Sequence, residues 1–315
     1  MRQKHTLEFV FLLLVIACRR AGISLRLPRP RVTPGVRRLL TLMVPGMLSA
    51  GAMQINLMVG TIIATLQAGA VSFLYYADRV YQLPLGLIGI AFGVVLLPDL
   101  ARKLRSGAVA QAMYSFNRGL ELAMLLTLPA AVALVVIPEP IIIVLFERGA
   151  FDRADTDATA RALAAFAFGL PAFVLIKVLQ PAFFAREDTV TPFRMAMATV
   201  ATNVVLAIAL FGPLRHVGLA LATTLAAWLN FVLLGIALHR RGFLGLDARF
   251  KGRLPRILAA CALLGVGLFL AMEELQSWFD GAEPVRILGL VVLVGGGLVL
   301  YGGLALALGA VKRSE

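Results

Sequence analysis

With 315 residues, 60% of them hydrophobic and only 15% charged, and a mean hydropathy of +0.89, the chain is too apolar for an ordinary soluble domain, where about half the residues are apolar and about a quarter charged. Its net charge of +13 would suit a nucleic-acid binder, but the basic residues stand in short runs between apolar segments, as in loops facing anionic headgroups, and nucleic acid is excluded as a partner. Cys18 and Cys261 lie in separate apolar stretches and His5, His216 and His239 are scattered beside apolar segments as interfacial residues, so neither a disulfide framework nor a metal site nor a cofactor is expected.

The first apolar run, 7–18, is shorter than the ~20 residues that cross a bilayer. Arg2 and Lys4 precede it as in a signal peptide, but Arg19 and Arg20 follow directly without a small-residue cleavage site. It reads as the end of a truncated span. A basic connector containing prolines follows over 19–38. Eight full spans come next, at about 39–66, 71–99, 116–137, 158–183, 191–211, 217–238, 255–273 and 286–310. The stretch 106–115 suits a short interfacial helix. No segment alternates with period two, which excludes a β-barrel. The expected fold is therefore an all-α polytopic transmembrane bundle. It divides into a partial span and connector (1–34), a six-helix core (35–240) and two final helices (241–315).

Connector charge sets the orientation. Every second connector is basic: Arg19 to Arg38, then Arg102, Lys103, Arg105 and Arg118, then Arg186 and Arg194, then Arg240 to Arg256, then Lys312 and Arg313. The alternate connectors mix Arg148, Arg153, Arg215 and Arg286 with acids such as Glu139, Glu147, Asp152 and Glu283. The positive-inside rule puts the basic set, and the C-terminus, in the cytoplasm.

Ionisable residues inside spans are costly and so are functional candidates. Asp78 and Arg79 lie about two turns into the second full span. At about 100° per residue, Ser72, Tyr76, Arg79 and Gln82 share a face that Gly86, Ile90 and Gly93 continue. A polar stripe points into a bundle or a wet cavity. The planar fork of Arg79 suits a phosphate, while Asp78 either holds Arg79 or pairs with a neighbouring helix. The competing reading is an arginine that snorkels to water. Lys177 is a second intramembrane cation with the same two readings, and Pro84 and Pro98 suggest a kink and a stop in the Arg79 helix. Asp152, Asp155 and Asp157 either hold Mg²⁺ against a diphosphate, as in a membrane transferase, or cap a helix with Asp155 or Thr156 as N-cap. Asn56, Asn203 and Thr223 coordinate a cation or join helices. Metal-protease, serine-hydrolase and nucleotide-binding motifs are absent from the sequence, which favours transport over catalysis.

The text AGAVSFLYYADRVYQLPLGLIGIAFGVVLLPDL, around Gly69–Pro98, resembles the eighth transmembrane helix of MurJ (MviN) family lipid II flippases, in the MOP exporter superfamily. LFERGAF (145–151), KVLQPAFFAREDTVTP (177–192) and GPLRHVGLALATTLAAWLN (212–230) match in order. The resemblance implies two lobes around a cationic cavity, this chain supplying helices seven to fourteen, with 7–18 ending helix six. It implies that Arg79 binds the lipid diphosphate and that Ser72 and Asp78 line the cavity. Gln82 stands where the family often has Glu. Some members bind sodium through an acid in helix seven, where this chain offers Asn56, and Asn or Asp in helix eleven, where it offers Asn203, so no metal site is carried over. The final pair of helices would form a groove for the lipid tail.

The expected function is alternating-access flipping of lipid II, the undecaprenyl-diphosphate-linked peptidoglycan precursor, in the bacterial cytoplasmic (inner) membrane, with an N-terminal lobe of the same protein and membrane lipids as partners. Candidate substrate contacts are Arg79, Ser72, Asp78, Tyr76, Gln82 and Lys177. The alternative is a MOP-type exporter of another lipid-linked oligosaccharide, with a membrane transferase and a non-transporting scaffold behind it.

Overall fold

Apolar runs of this length become helices because hydrocarbon offers no partners for the backbone, so each segment must satisfy its own N–H and C=O groups. The structure, a computed structural model, describes residues 15–18, 20 and 34–311. Among them are nine helices of nine residues or more and no strand: α1 (Pro34–Ala64), α2 (Ala70–Arg105), α3 (Val109–Val136), α4 (Pro138–Phe146), α5 (Arg153–Ala167), α6 (Leu170–Phe184), α7 (Val190–Arg240), α8 (Ala248–Phe279) and α9 (Glu283–Ala307). The chain forms two units, 1–43 and 44–315. In the first, the Thr41 hydroxyl donates to the Arg37 carbonyl one turn back, 2.9 Å away. The partial span expected over 7–18 and much of the connector over 19–38 lie outside the described residues. Everything below concerns the second unit.

Each expected span falls largely on helix, and six helical stretches among the described residues are long and apolar enough to cross a membrane. Two local expectations are corrected. The stretch 106–115 is no separate helix, because α3 already begins at Val109. Pro98 does not stop α2, which runs on to Arg105 and ends with Arg102, Lys103 and Arg105 at its negative dipole end. The span expected over 158–183 falls within one apolar stretch, Arg153–Phe184, long enough to cross a membrane, and it is built of two helices: α5 stops before Phe168 and Gly169, and α6 restarts with Pro171 in its first turn.

That break is repaired from outside. Thr224 donates to the Ala165 carbonyl at 2.7 Å, and the Trp228 indole N–H donates to the Phe168 carbonyl at 3.1 Å. Gly169 makes room for this, since a Cβ there would lie 2.8 Å from the Thr224 hydroxyl. The pair α5–α6 is the axis of the unit, with 78% of its most apolar window buried. Helices α2, α3 and α7 pack against it, α8 packs on α3, and α9 packs on α8. The outer layer stays bare: Leu298 and Val299 on α9 are 69% and 79% exposed, a surface for lipid tails rather than for water.

Helix α7 holds two of the expected spans, joined by a bend at Arg215 (φ 53°, ψ −136°). The bend brings Gly218 against the Leu210 carbonyl so closely that any Cβ would collide with backbone. Backbone cannot swing aside as a side chain can. Gly218→Ala is therefore expected to cost ~3 kcal/mol, the upper part of the overpacking range, read as a loss of thermal stability in detergent. A melting temperature unchanged from the wild type would refute this reading of the bend.

Candidate functional site

Helix α2 starts at Gly69, whose φ of 78° supplies the left-handed turn, and it presents two unlike faces. Ala77, Val80, Tyr81 and Ile88 are buried in the bundle, where Tyr81 stacks on Phe166 at 5.6 Å between ring centroids. Val71, Ser72, Tyr75, Arg79, Gln82, Leu83 and Leu87 are exposed. Arg79 therefore stands on the face of α2 that this unit leaves uncovered. Its guanidinium lies over the Tyr75 ring, 4.8 Å from the centroid, a contact worth roughly 0.5–1 kcal/mol at an exposed site. Among the described residues no carboxylate or carbonyl takes up its donors.

The sequence-expected residues do not all meet. Asp78 is half-buried and accepts a hydrogen bond from Gln82 one turn on, so its partner lies within its own helix. Tyr76 packs on Phe146 and Phe151, at 4.8 and 5.4 Å, in an aromatic cluster with the α4–α5 connection. Ser72 is exposed near the start of α2. Lys177 sits ten or so residues' length further along, on α6, half-buried between neighbours Ile176 and Val178 that are 8% and 0% exposed. Its side chain crosses α2 at Gly89, where a Cβ would lie 2.5 Å from Lys177 Cδ and 2.7 Å from Nζ.

Other candidates resolve into architecture. Asp152, not Asp155 or Thr156, is the N-cap of α5. It accepts from the Asp155 N–H at 2.9 Å while the Asp155 carboxylate accepts from the Asp152 N–H, a capping box. Asp157 pairs with Arg161 at 2.8 Å. Asn203 donates to Asn56 at 2.9 Å and so joins α7 to α1. His216 is buried rather than interfacial. Its N–H donates to the Gln67 side-chain carbonyl, its ring contacts the Gln67 amide at 3.1 Å and the Ala158 carbonyl at 2.9 Å, and Phe73 meets the ring edge-on.

The block FFAREDTVTP works as a clamp between the α6–α7 turn and the end of α7. Asp188 accepts from the Thr191 N–H at 3.0 Å and from Arg241, which also donates to the Thr191 hydroxyl at 2.7 Å. Burial pushes the Asp188 carboxyl up, but the Thr191 bonds and the Arg241 guanidinium outweigh it and hold the group below the usual carboxylate range. Arg186 donates to the Ala182 carbonyl at 2.7 Å and lies 3.8 Å over the Phe243 ring.

A charge cluster went unread in the sequence. Glu121, 7% exposed on α3, accepts from Arg118 and from Arg253, itself 7% exposed on α8, and Arg249 lies 3.5 Å away. Arg118 also donates to Asp247, the N-cap of α8. Asp247 is desolvated, yet its bonds from the Phe250 N–H and Arg118 hold it below the usual range. Position alone carried the signal, since Glu121 falls inside the span expected over 116–137.

A sequence model of the family described as "Lipid II flippase MurJ" matches residues 7–289. A protein of Rhizobium meliloti (strain 1021) named "Probable lipid II flippase MurJ" is 46% identical over 301 residues, 95% of this chain and 56% of that protein. One of the same name from Rickettsia prowazekii (strain Madrid E) is 36% identical over 83% of this chain and 52% of its own length. The chain thus spans about half the length of the curated relatives it matches. Among solved structures, "Lipid II flippase MurJ, inward closed conformation" superposes with a TM-score of 0.68 at 23% identity, covering 88% of this chain and 56% of that one. An outward-facing multidrug resistance MATE family transporter of the MOP superfamily shares the fold with a TM-score of 0.55 at 17% identity, over 88% of this chain and 68% of that one.

Proposed function

Because the chain belongs to the MurJ lipid II flippase family, we propose that it forms half of a transporter that moves undecaprenyl-diphosphate-linked peptidoglycan precursor across the bacterial cytoplasmic membrane. One observation carries the reading. An arginine fork stands in the first third of α2, a helix whose sequence reads as a membrane span, on the uncovered face and over the Tyr75 ring, with no hydrogen-bond acceptor among the described residues. An intramembrane guanidinium is costly to keep unless it meets water or an anion, and its fork matches a phosphate through two charge-assisted bonds.

The face of α2 that carries Arg79 is, in this proposal, one wall of a central cavity, and the other half of the protein supplies the facing wall. Ser72 and Gln82 line the same wall. Asp78 supports it by holding Gln82, and Tyr76 anchors the wall to Phe146 and Phe151. Lys177 contributes a second cation. The basic connectors and the C-terminus face the cytoplasm, and the two lobes rock to expose the headgroup on alternate sides. No bond is made or broken, so the chain's residues bind and release without catalytic chemistry.

The test is the complete protein in vesicles, given a fluorescent lipid II and, separately, a peptide-free lipid-linked oligosaccharide on the same carrier. Protected fluorescence should appear for lipid II, and excess unlabelled lipid II should suppress it. Equal movement of the peptide-free lipid would favour a broader MOP-type exporter, and movement of neither would overturn the proposal.

A further inference from the structure

We propose that Lys177, seated across Gly89, is a second anion station distinct from Arg79, and that Gly89 is the residue that positions it. The inference rests on the flippase reading above.

A lysine on a membrane helix ordinarily extends its flexible stem towards the nearest headgroup layer. Lys177 does not. Its outer carbons and ammonium lie flat over the α2 backbone, since a Cβ at Gly89 would meet Cδ at 2.5 Å, Nζ at 2.7 Å and Cε at 3.1 Å. Only a residue without a side chain leaves that trough open. Among the described residues no acceptor lies within hydrogen-bond or ion-pair distance of the ammonium. A half-buried, unpaired ammonium is a cost to the empty protein that an anion would relieve.

Placement along α2 gives the station its role. Gly89 follows Asp78 by eleven positions and Gln82 by seven, so at about 100° per residue all three fall within about 20° of one strip. The Lys177 ammonium therefore lies at the far end of the strip that begins with the Asp78–Gln82 pair. Arg79 flanks that strip and leans the other way, its guanidinium lying over Tyr75, one turn nearer the start of α2. The two cations are thus separated by roughly 15–20 Å along the helix at about 1.5 Å per residue. That exceeds the reach of one diphosphate, so the two act in succession. With the basic connectors inside, a headgroup loading from the cytoplasm meets Lys177 before Arg79.

The experiment uses the complete protein in vesicles with fluorescent lipid II, measuring the dependence of rate on lipid concentration together with melting temperature. Lys177→Met keeps the stem and removes the charge. It should raise the half-saturating lipid concentration about tenfold, the worth of one charge-assisted bond, with a smaller change in saturated rate. Gly89→Ala should do the same by lifting the lysine from its trough. Combining the two should be no worse than Lys177→Met alone, because the methyl group then displaces no ammonium. If Gly89→Ala adds its own loss in the Lys177→Met background, Gly89 is a packing residue and the inference fails. It fails equally if Lys177→Met loads lipid as the wild type does. Arg79→Ala and the unaltered protein, run alongside, separate the readings: an inactive Arg79→Ala beside a normal Lys177→Met removes only this inference, whereas an unaltered protein that moves no lipid II removes the flippase reading beneath it.

Discussion

Arg79→Ala in the complete protein is expected to slow headgroup translocation at least about a hundredfold, while leaving expression and melting temperature close to the wild type. The size follows from two charge-assisted bonds to a phosphate, each worth about 1.5–3 kcal/mol when the donor is ionised. The specificity follows from placement. Arg79 lies on the exposed face of α2, with its guanidinium over the Tyr75 ring and its charge beside Asp78, so truncating it opens no cavity. Arg79→Lys keeps the charge but loses the planar fork, and it should recover only part of the rate. Proteoliposomes carrying fluorescent lipid II supply the measurement. A variant with alanine at this position that translocates at the wild-type rate would remove Arg79 from the mechanism.

The largest effect on stability is expected at Glu121. It is the shared counter-ion of Arg118 and Arg253, and both Glu121 and Arg253 are almost fully buried. Glu121→Ala removes the anion and leaves cations desolvated at the junction of α3 and α8, which costs ~3–5 kcal/mol when one partner of a buried pair is deleted. The expected readout is a pronounced fall in melting temperature of purified protein, with α8 and α9 the first elements to come loose, since α8 packs chiefly on α3 and α9 on α8. Combining Glu121→Leu with Arg253→Met replaces charge by apolar volume and should be clearly more stable than Glu121→Ala. A single variant that melts like the wild type would show that the cluster is wet and weakly coupled.

Much of the fold was legible because hydropathy and helix length are tied together by the thickness of a bilayer. Each apolar run long enough to span falls largely on helix. Arg79 and Lys177 were legible because a charge inside an apolar run is a strong local signal. What failed was anything that depends on a partner remote in sequence. Pro98 reads as a stop, yet tertiary packing carries α2 past it. The break before Pro171 is invisible until Thr224 and Trp228, over fifty residues away, are seen to satisfy the freed carbonyls. Arg253 sits in a basic connector and reads as a loop charge, and only the fold brings it to Glu121. The FFAREDTVTP block is distinctive in sequence, but its chemistry is that of a clasp to Arg241 and Phe243 rather than a ligand site. Gly89 carries no signal of its own, because one glycine in a helix rich in small residues looks like any other.

The bend in α7 bears on motion. With Gly218 pressed on the Leu210 carbonyl and His216 bonded to Gln67 and Ala158, the two arms have no slack through which to slide past each other. They turn together like the limbs of a riveted bracket, and they carry the neighbouring end of α5 with them. Any swing that opens a passage is thereby passed to joints elsewhere in the assembly, and spin labels placed on opposite arms should keep one fixed spacing throughout the cycle.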